Sequence, residues 1–149
     1  MYNPPGSAEL TEFVELHNLS GEILNLAWVR FCEGIDFTFP PDANIAAQGY
    51  VVLAKDLPAF KSLYPAVSDD ATFGPYDGQL DNGGEELVLK VAEPFEAAIM
   101  RFEYDDIWYP QTDGDGFSLN IIDPTDNPAT WDDPKSWQAA VPTPGRAGP

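Results

Sequence analysis

Fifteen prolines and twelve glycines are spread along the whole of this 149-residue chain, and that punctuation favours many short strands over long helices. Proline removes a backbone donor and glycine weakens regular structure from within. Most of the apolar segments between them alternate. "TEFVELHNLS" sets Val14 and Leu16 on one side and Glu15 and His17 on the other, then meets a turn at Leu19 to Gly21. That is the pattern of a half-buried antiparallel strand. "EILNLAWVRF" offers Ile23, Val29 and Phe31 to a core, and "IDFTFPP" alternates through Ile35, Phe37 and Phe39 until two prolines stop it. The continuous apolar run from Tyr50 to Ala54 suits a strand covered on both faces.

"DLPAFKSLYP" has a different period. Asp56 fits an N-cap, Pro58 is tolerated in the first turn, and Leu57, Phe60 and Leu63 recur at helical spacing. The reading is one short helix from Leu57 to Tyr64, packed across one end of the fold. Beyond it, Asn82-Gly83-Gly84 turns into a strand alternating through Leu87, Leu89 and Val91. "AAIMRFEYDD" is a further strand, and "GFSLNIID" alternates through Phe117, Leu119 and Ile121. The rest reads as loop holding two tryptophans. Roughly seven to nine short strands with turns between them predict an all-β antiparallel sandwich built as a single domain over residues 1–149.

A formal charge of −18 excludes nucleic acid as a partner, because phosphate binding needs clustered Lys and Arg. Anionic membranes are disfavoured for the same reason, and the apolar stretches fall far below the ~20 residues needed for membrane insertion. A bound cation would relieve the self-repulsion of so many carboxylates. Cys32 is the one cysteine, so no intrachain disulfide or four-thiolate zinc site can form, and it reads as a buried, inert thiol. The chain begins almost directly in a strand-like region and stops at "TPGRAGP". It therefore reads as a piece of a longer polypeptide with flanking domains.

Taken in order, "EFVELHN", "ILNLAWVRF", "FTFPPDANIAAQGYVVLAKD", "GQLDNGGEELVLKV", "DGDGFSL", "NPATW" and "TPG" resemble the lamin tail domain. That is the immunoglobulin-like module of nuclear lamins, which also recurs in secreted and surface proteins of bacteria. The resemblance runs from about Tyr2 to Gly145, and the closing "DGDGFSL…NPATW…TPG" is similar to the bacterial form. It implies an immunoglobulin-like sandwich, with Glu12 to Asn18 as the first core strand and Gly49 to Leu53 as a central one. Leu80 to Leu89 would supply the next turn and strand, and Gly116, Ser118 and Leu119 would open a strand near the C-terminus. One position departs from the family pattern, which reads Gly-Trp where this chain has Trp28 and Val29. Either Val29 fills the core slot and Trp28 faces out, or a one-residue shift restores the tryptophan and turns the strand over. The resemblance further implies a non-catalytic interaction or structural module of an exported bacterial protein, extracellular or on the cell surface, with a protein or glycan partner.

Two constellations are the candidate sites. The first is "TDGDGFSL". A calcium loop of the EF-hand type needs oxygen ligands at its first, third and fifth places, glycine at the sixth and glutamate at the twelfth. Counting from Asp113, the third place is Asp115, but the fifth, sixth and twelfth are Phe117, Ser118 and Pro124. A looser calcium cage from Asp113, Asp115, Asp123 and Asp126 stays open. So does a plain turn, in which glycine supplies positive φ and aspartate binds local backbone. The second constellation is Trp108, Tyr109, Trp131 and Trp137, which would either form a sugar-stacking or partner surface or cap the end of the sandwich. His17 is the one histidine, so a Ser-His-Asp triad or a multi-histidine metal centre is hard to build. The competing readings are thus a carbohydrate-binding module attached to a hydrolase and a calcium-stabilised adhesion domain. An enzyme is the least favoured class.

Overall fold

The structure, a computed structural model, describes residues 1–6 and 9–147. Its strands are β1 (Phe13–His17), β2 (Leu24–Asn25), β3 (Arg30–Glu33), β4 (Ile35–Thr38), β5 (Asn44–Ile45) and β6 (Tyr50–Ala54). After helix α1 (Leu57–Leu63) come β7 (Thr72–Phe73), β8 (Asp77–Gly78), β9 (Gly84–Lys90), β10 (Ala98–Asp105), β11 (Ser118–Ile121) and β12 (Trp137–Ala140). Among the described residues eight strands have four residues or more, within the range the turn spacing predicts. No helix among them is long and apolar enough to cross a membrane.

The chain is all-β and sandwich-like. One sheet has the order β1-β6-β7 and the other β10-β9-β3-β4-β8, while β11-β12 and β2-β5 form two small ribbons. Alternation along β6 explains how the layers meet. Val51 and Leu53 join Leu16, Phe31, Ile35, Leu87 and Leu89 in the main core. Val52 and Ala54 point the other way and pack with Phe13 and Phe60 of α1. The Tyr50–Ala54 run is therefore covered on both faces, as its unbroken apolar composition requires. The antiparallel expectation needs one correction. β7 runs parallel to β6, with Val52 opposite Thr72, because the chain crosses through α1 before it returns to the sheet.

The helix begins where its cap predicts. Asp56 Oδ1 accepts the Ala59 N–H at 2.8 Å and Pro58 sits in the first turn, where a missing N–H is harmless. Phe60 is fully buried, whereas Leu63 points into solvent.

Two further expectations are revised. Ile23 is 69% exposed, and Leu26 takes the core position instead. Asn18 causes this: its side-chain amide donates to the Glu22, Ile45 and Ala46 carbonyls, pinning the loop so that Ile23 falls outside. The segment given as loop around the last tryptophan contains a strand, β12, whose Trp137 lies opposite Ile121 of β11.

The structure also decides between the two registers at Trp28 and Val29. Val29 is buried and Trp28 is 54% exposed. The Val29 N–H closes a turn onto the Leu26 carbonyl at 2.9 Å, and Trp28 takes the third place of that turn with φ of 64°. A side chain in the left-handed region costs about 1–2 kcal/mol, from which glycine's extra chain entropy takes back part. Trp28→Gly is accordingly expected to raise stability by about 0.5–1 kcal/mol. Urea unfolding checks this, with a higher midpoint at unchanged slope.

Candidate functional site

The Asp-Gly-Asp-Gly segment forms turns. Gly114 and Gly116 have φ of 88° and 89°, the conformation that glycine adopts without a Cβ clash. Asp113 Oδ1 accepts from Asn3 Nδ2 at 2.6 Å, and the Gly114 N–H donates to the Asn3 carbonyl at 3.1 Å. The turn therefore fastens the beginning of the chain. Asp123 Oδ1 accepts from the Thr125 N–H and hydroxyl, and these bonds hold its carboxyl below the usual range. Asp113, Asp115, Asp123 and Asp126 are all exposed. Among the described residues no three His, Cys, Asp or Glu side chains gather into a group that could hold a metal ion.

This use of side-chain oxygen recurs along the chain. In seven places among the described residues an Asn or Asp oxygen accepts the backbone N–H two residues later, at 2.7–3.0 Å. These are Asn18, Asn25, Asp81, Asp105, Asp123, Asn127 and Asp133. Such Asx turns replace the backbone pairing that a loop gives up. Four of the 25 acidic residues, Asp81, Asp105, Asp123 and Asp133, thus build loops in this way.

The aromatic group faces inward. Trp131 and Trp137 are buried, and their rings pack with Phe102 of β10 at centroid distances of 6.2 and 5.0 Å. Trp108 joins at 6.4 Å from Trp137. The Trp137 indole N–H donates to the Trp131 carbonyl at 2.7 Å, and the Tyr109 hydroxyl lies 2.7 Å from the Trp137 carbonyl. The four residues are brought together as a small second core that seats the β11–β12 hairpin, with the two central rings withdrawn from solvent. His17 lies flat on Tyr50 with centroids 4.0 Å apart, and the Cys32 thiol is half-buried, 3.9 Å from the Val88 carbonyl.

What sequence reasoning missed is a cleft of about 640 Å³ between the edge strands β1 and β10, roofed by the β11–β12 hairpin. Its walls are chiefly apolar, with Leu16, Leu87, Met100, Phe102, Leu119 and Trp131 among them. It wraps the outer edge of β1, where Met1 pairs with Phe13, and reaches Glu15 and His17 on that strand's other face. Removal from water pushes the Glu15 carboxyl up to about 7, against the opposing pull of the Gly145 N–H and the nearby amino terminus.

That displacement has a sign. An acid whose folded pKa lies above its unfolded value binds extra protons in the native state, so its contribution is present below the unfolded pKa and is lost as pH rises through about 7. Glu15→Gln keeps an acceptor for Gly145 but carries no charge. The variant is expected to gain on the parent chain by about 2 kcal/mol between pH 4.5 and 8, since each tenfold change in proton affinity is worth about 1.4 kcal/mol. Denaturation across that pH window measures the difference directly, and a constant gap between the two proteins would contradict it.

No family model, curated protein or solved structure matches this chain.

Proposed function

We propose that this chain is a non-catalytic, lamin-tail-like module of a larger exported bacterial protein, immunoglobulin-like in architecture, which contacts a protein or glycan partner at the cell surface. The observation that carries the reading is the use of the polar side chains. Seven Asn and Asp side chains close the turns that follow them, and Asp56 caps α1. Chemistry at carboxylates calls for acids poised beside one another or beside a base in a cleft. Here Asp81, Asp105, Asp123 and Asp133 serve as the mortar of short loops, and Glu15, the one carboxylate in the cleft wall among the described residues, has no second acid there. A sandwich built this way presents a firm, strongly negative exterior, which resists non-specific association and suits display outside a cell.

The module reading is tested in the parent polypeptide. Deleting the domain should release the protein from the cell surface and leave any catalytic rate of the remaining domains unchanged. Retention at the surface after deletion would overturn the proposal.

A further inference from the structure

We infer that the cleft between β1 and β10 is a binding site for a small, uncharged, mainly apolar molecule that carries a hydrogen-bond acceptor. The inference goes beyond the surface-module reading and stands or falls separately from it. Sandwich interiors normally close to the packing density of organic crystals. Here the inner faces of two edge strands carry Leu16, Met100 and Phe102, yet about 640 Å³ between them stays open. That is the size and character of a small-molecule pocket: concave, largely apolar, with a few polar groups. Both sheets and the hairpin contribute walls, so the space is partly enclosed.

A second observation, independent of the volume, points to the acceptor. Trp131 lines the cleft, and its indole Nε1 is buried without a hydrogen-bond partner among the described residues. Nε1 has essentially no accessible surface, so a ligand oxygen reaches it as the ring yields by a small rotation, and the bond then recovers the about 1–3 kcal/mol that an unmet buried donor costs. The charge of the ligand follows from the surroundings. Burial disfavours charge on Glu15 and on the Met1 amino group in the wall, pushing the carboxyl up to about 7 and the amine down to about 5. No Lys or Arg lines the cleft among the described residues, and the whole chain carries −18. An anion meets repulsion there, and a cation would leave its hydration shell among leucine, methionine and phenylalanine. A neutral molecule meets neither penalty.

The probe for this site is prodan, an uncharged naphthalene ketone whose emission reports the polarity around it. Titrated into the intact domain, prodan should show saturable one-site binding in the micromolar range with blue-shifted emission. The anionic anilinonaphthalene sulfonate should bind at least about tenfold more weakly. Met100→Trp fills the cleft from β10 and Leu119→Phe fills it from the hairpin. At least one of the two should keep the native circular dichroism and melt, and that variant should weaken prodan about tenfold or more. Trp131→Phe removes the unmet donor and should weaken prodan several-fold with the emission still shifted. Ile107→Ser, on the exposed surface, should change nothing. Absence of saturable prodan binding would overturn the inference. So would undiminished binding in a folded cleft-filling variant, or equal affinity for the sulfonate.

Discussion

Glu12→Ala is expected to lower the unfolding free energy by about 3–5 kcal/mol, among the largest effects of any single change in this domain. Glu12 precedes β1 and is 1% exposed. Its Oε2 accepts the Tyr76 hydroxyl at 2.9 Å and the Leu80 N–H at 3.0 Å, while its own carbonyl accepts the Lys55 N–H at 3.0 Å. The carboxylate thereby ties the first strand to the loop that leads into β9. Burial and the neighbouring Glu12 charge push the Tyr76 phenol far above its ordinary range, so it stays a donor at every accessible pH. Truncation to alanine leaves the hydroxyl and the amide buried without an acceptor, each at about 1–3 kcal/mol, and opens a void besides. Urea denaturation reads the loss. Glu12→Gln keeps one acceptor oxygen and should recover part of it. If glutamine and alanine cost the same, the charge of the carboxylate, and not its role as acceptor, is what the fold requires.

Phe60→Ala should cost about 3–5 kcal/mol as well, by another route. Helix α1 has seven residues, far fewer than an isolated helix needs to persist in water. It is held by Phe60, whose ring meets Phe13 at 5.5 Å and Tyr64 at 5.0 Å over the outer face of β6. Without that ring the helix loses its anchor, and Val52 and Ala54 lose their cover. Hydrogen exchange distinguishes this from a uniform loss of stability. The amides of Ala59, Phe60 and Tyr64, which are hydrogen-bonded in and around the helix, should lose protection ahead of those in β9 and β3. Equal loss throughout would show that α1 is integral to the cooperative core and is not a docked cover.

The particular residues show what could be read in advance and why. The Tyr50–Ala54 run announced a strand buried on both sides because only apolar residues can occupy both faces of a covered strand. Asp56 and Pro58 announced the helix start because capping is a local matter of one side chain and one turn. Other features depend on partners far along the chain. Ile23 looked as fit for the core as Leu26, and the choice is made by Asn18 reaching across to the Ile45 and Ala46 carbonyls. β12 reads Trp-Gln-Ala-Ala, with one large apolar residue and so no alternation to see, and it exists because β11 offers it an edge. At the site, the glycine turns of "DGDG" were legible from glycine's tolerance of positive φ. The inward turn of Trp131 and Trp137 was one of two readings the sequence left open, and Phe102, on a strand about thirty residues away, decides it. The cleft left no trace in the sequence. Alternation tells which side chains leave a strand on one face, and it is silent on whether anything meets them.

Of the acidic side chains of the candidate calcium cage, Asp113 and Asp123 give their oxygens to local hydrogen bonds. A fourfold variant carrying Asp113→Asn, Asp115→Asn, Asp123→Asn and Asp126→Asn keeps the acceptor oxygens that Asp113 and Asp123 supply and removes all four charges. Its thermal midpoint, measured beside the parent domain in millimolar calcium and in chelator, separates the two roles. The expected midpoint is at or above the parent's, with the same value for each protein in both solutions. A parent domain that melts higher with calcium, beside a variant that melts lower and ignores the ion, would contradict an architectural role.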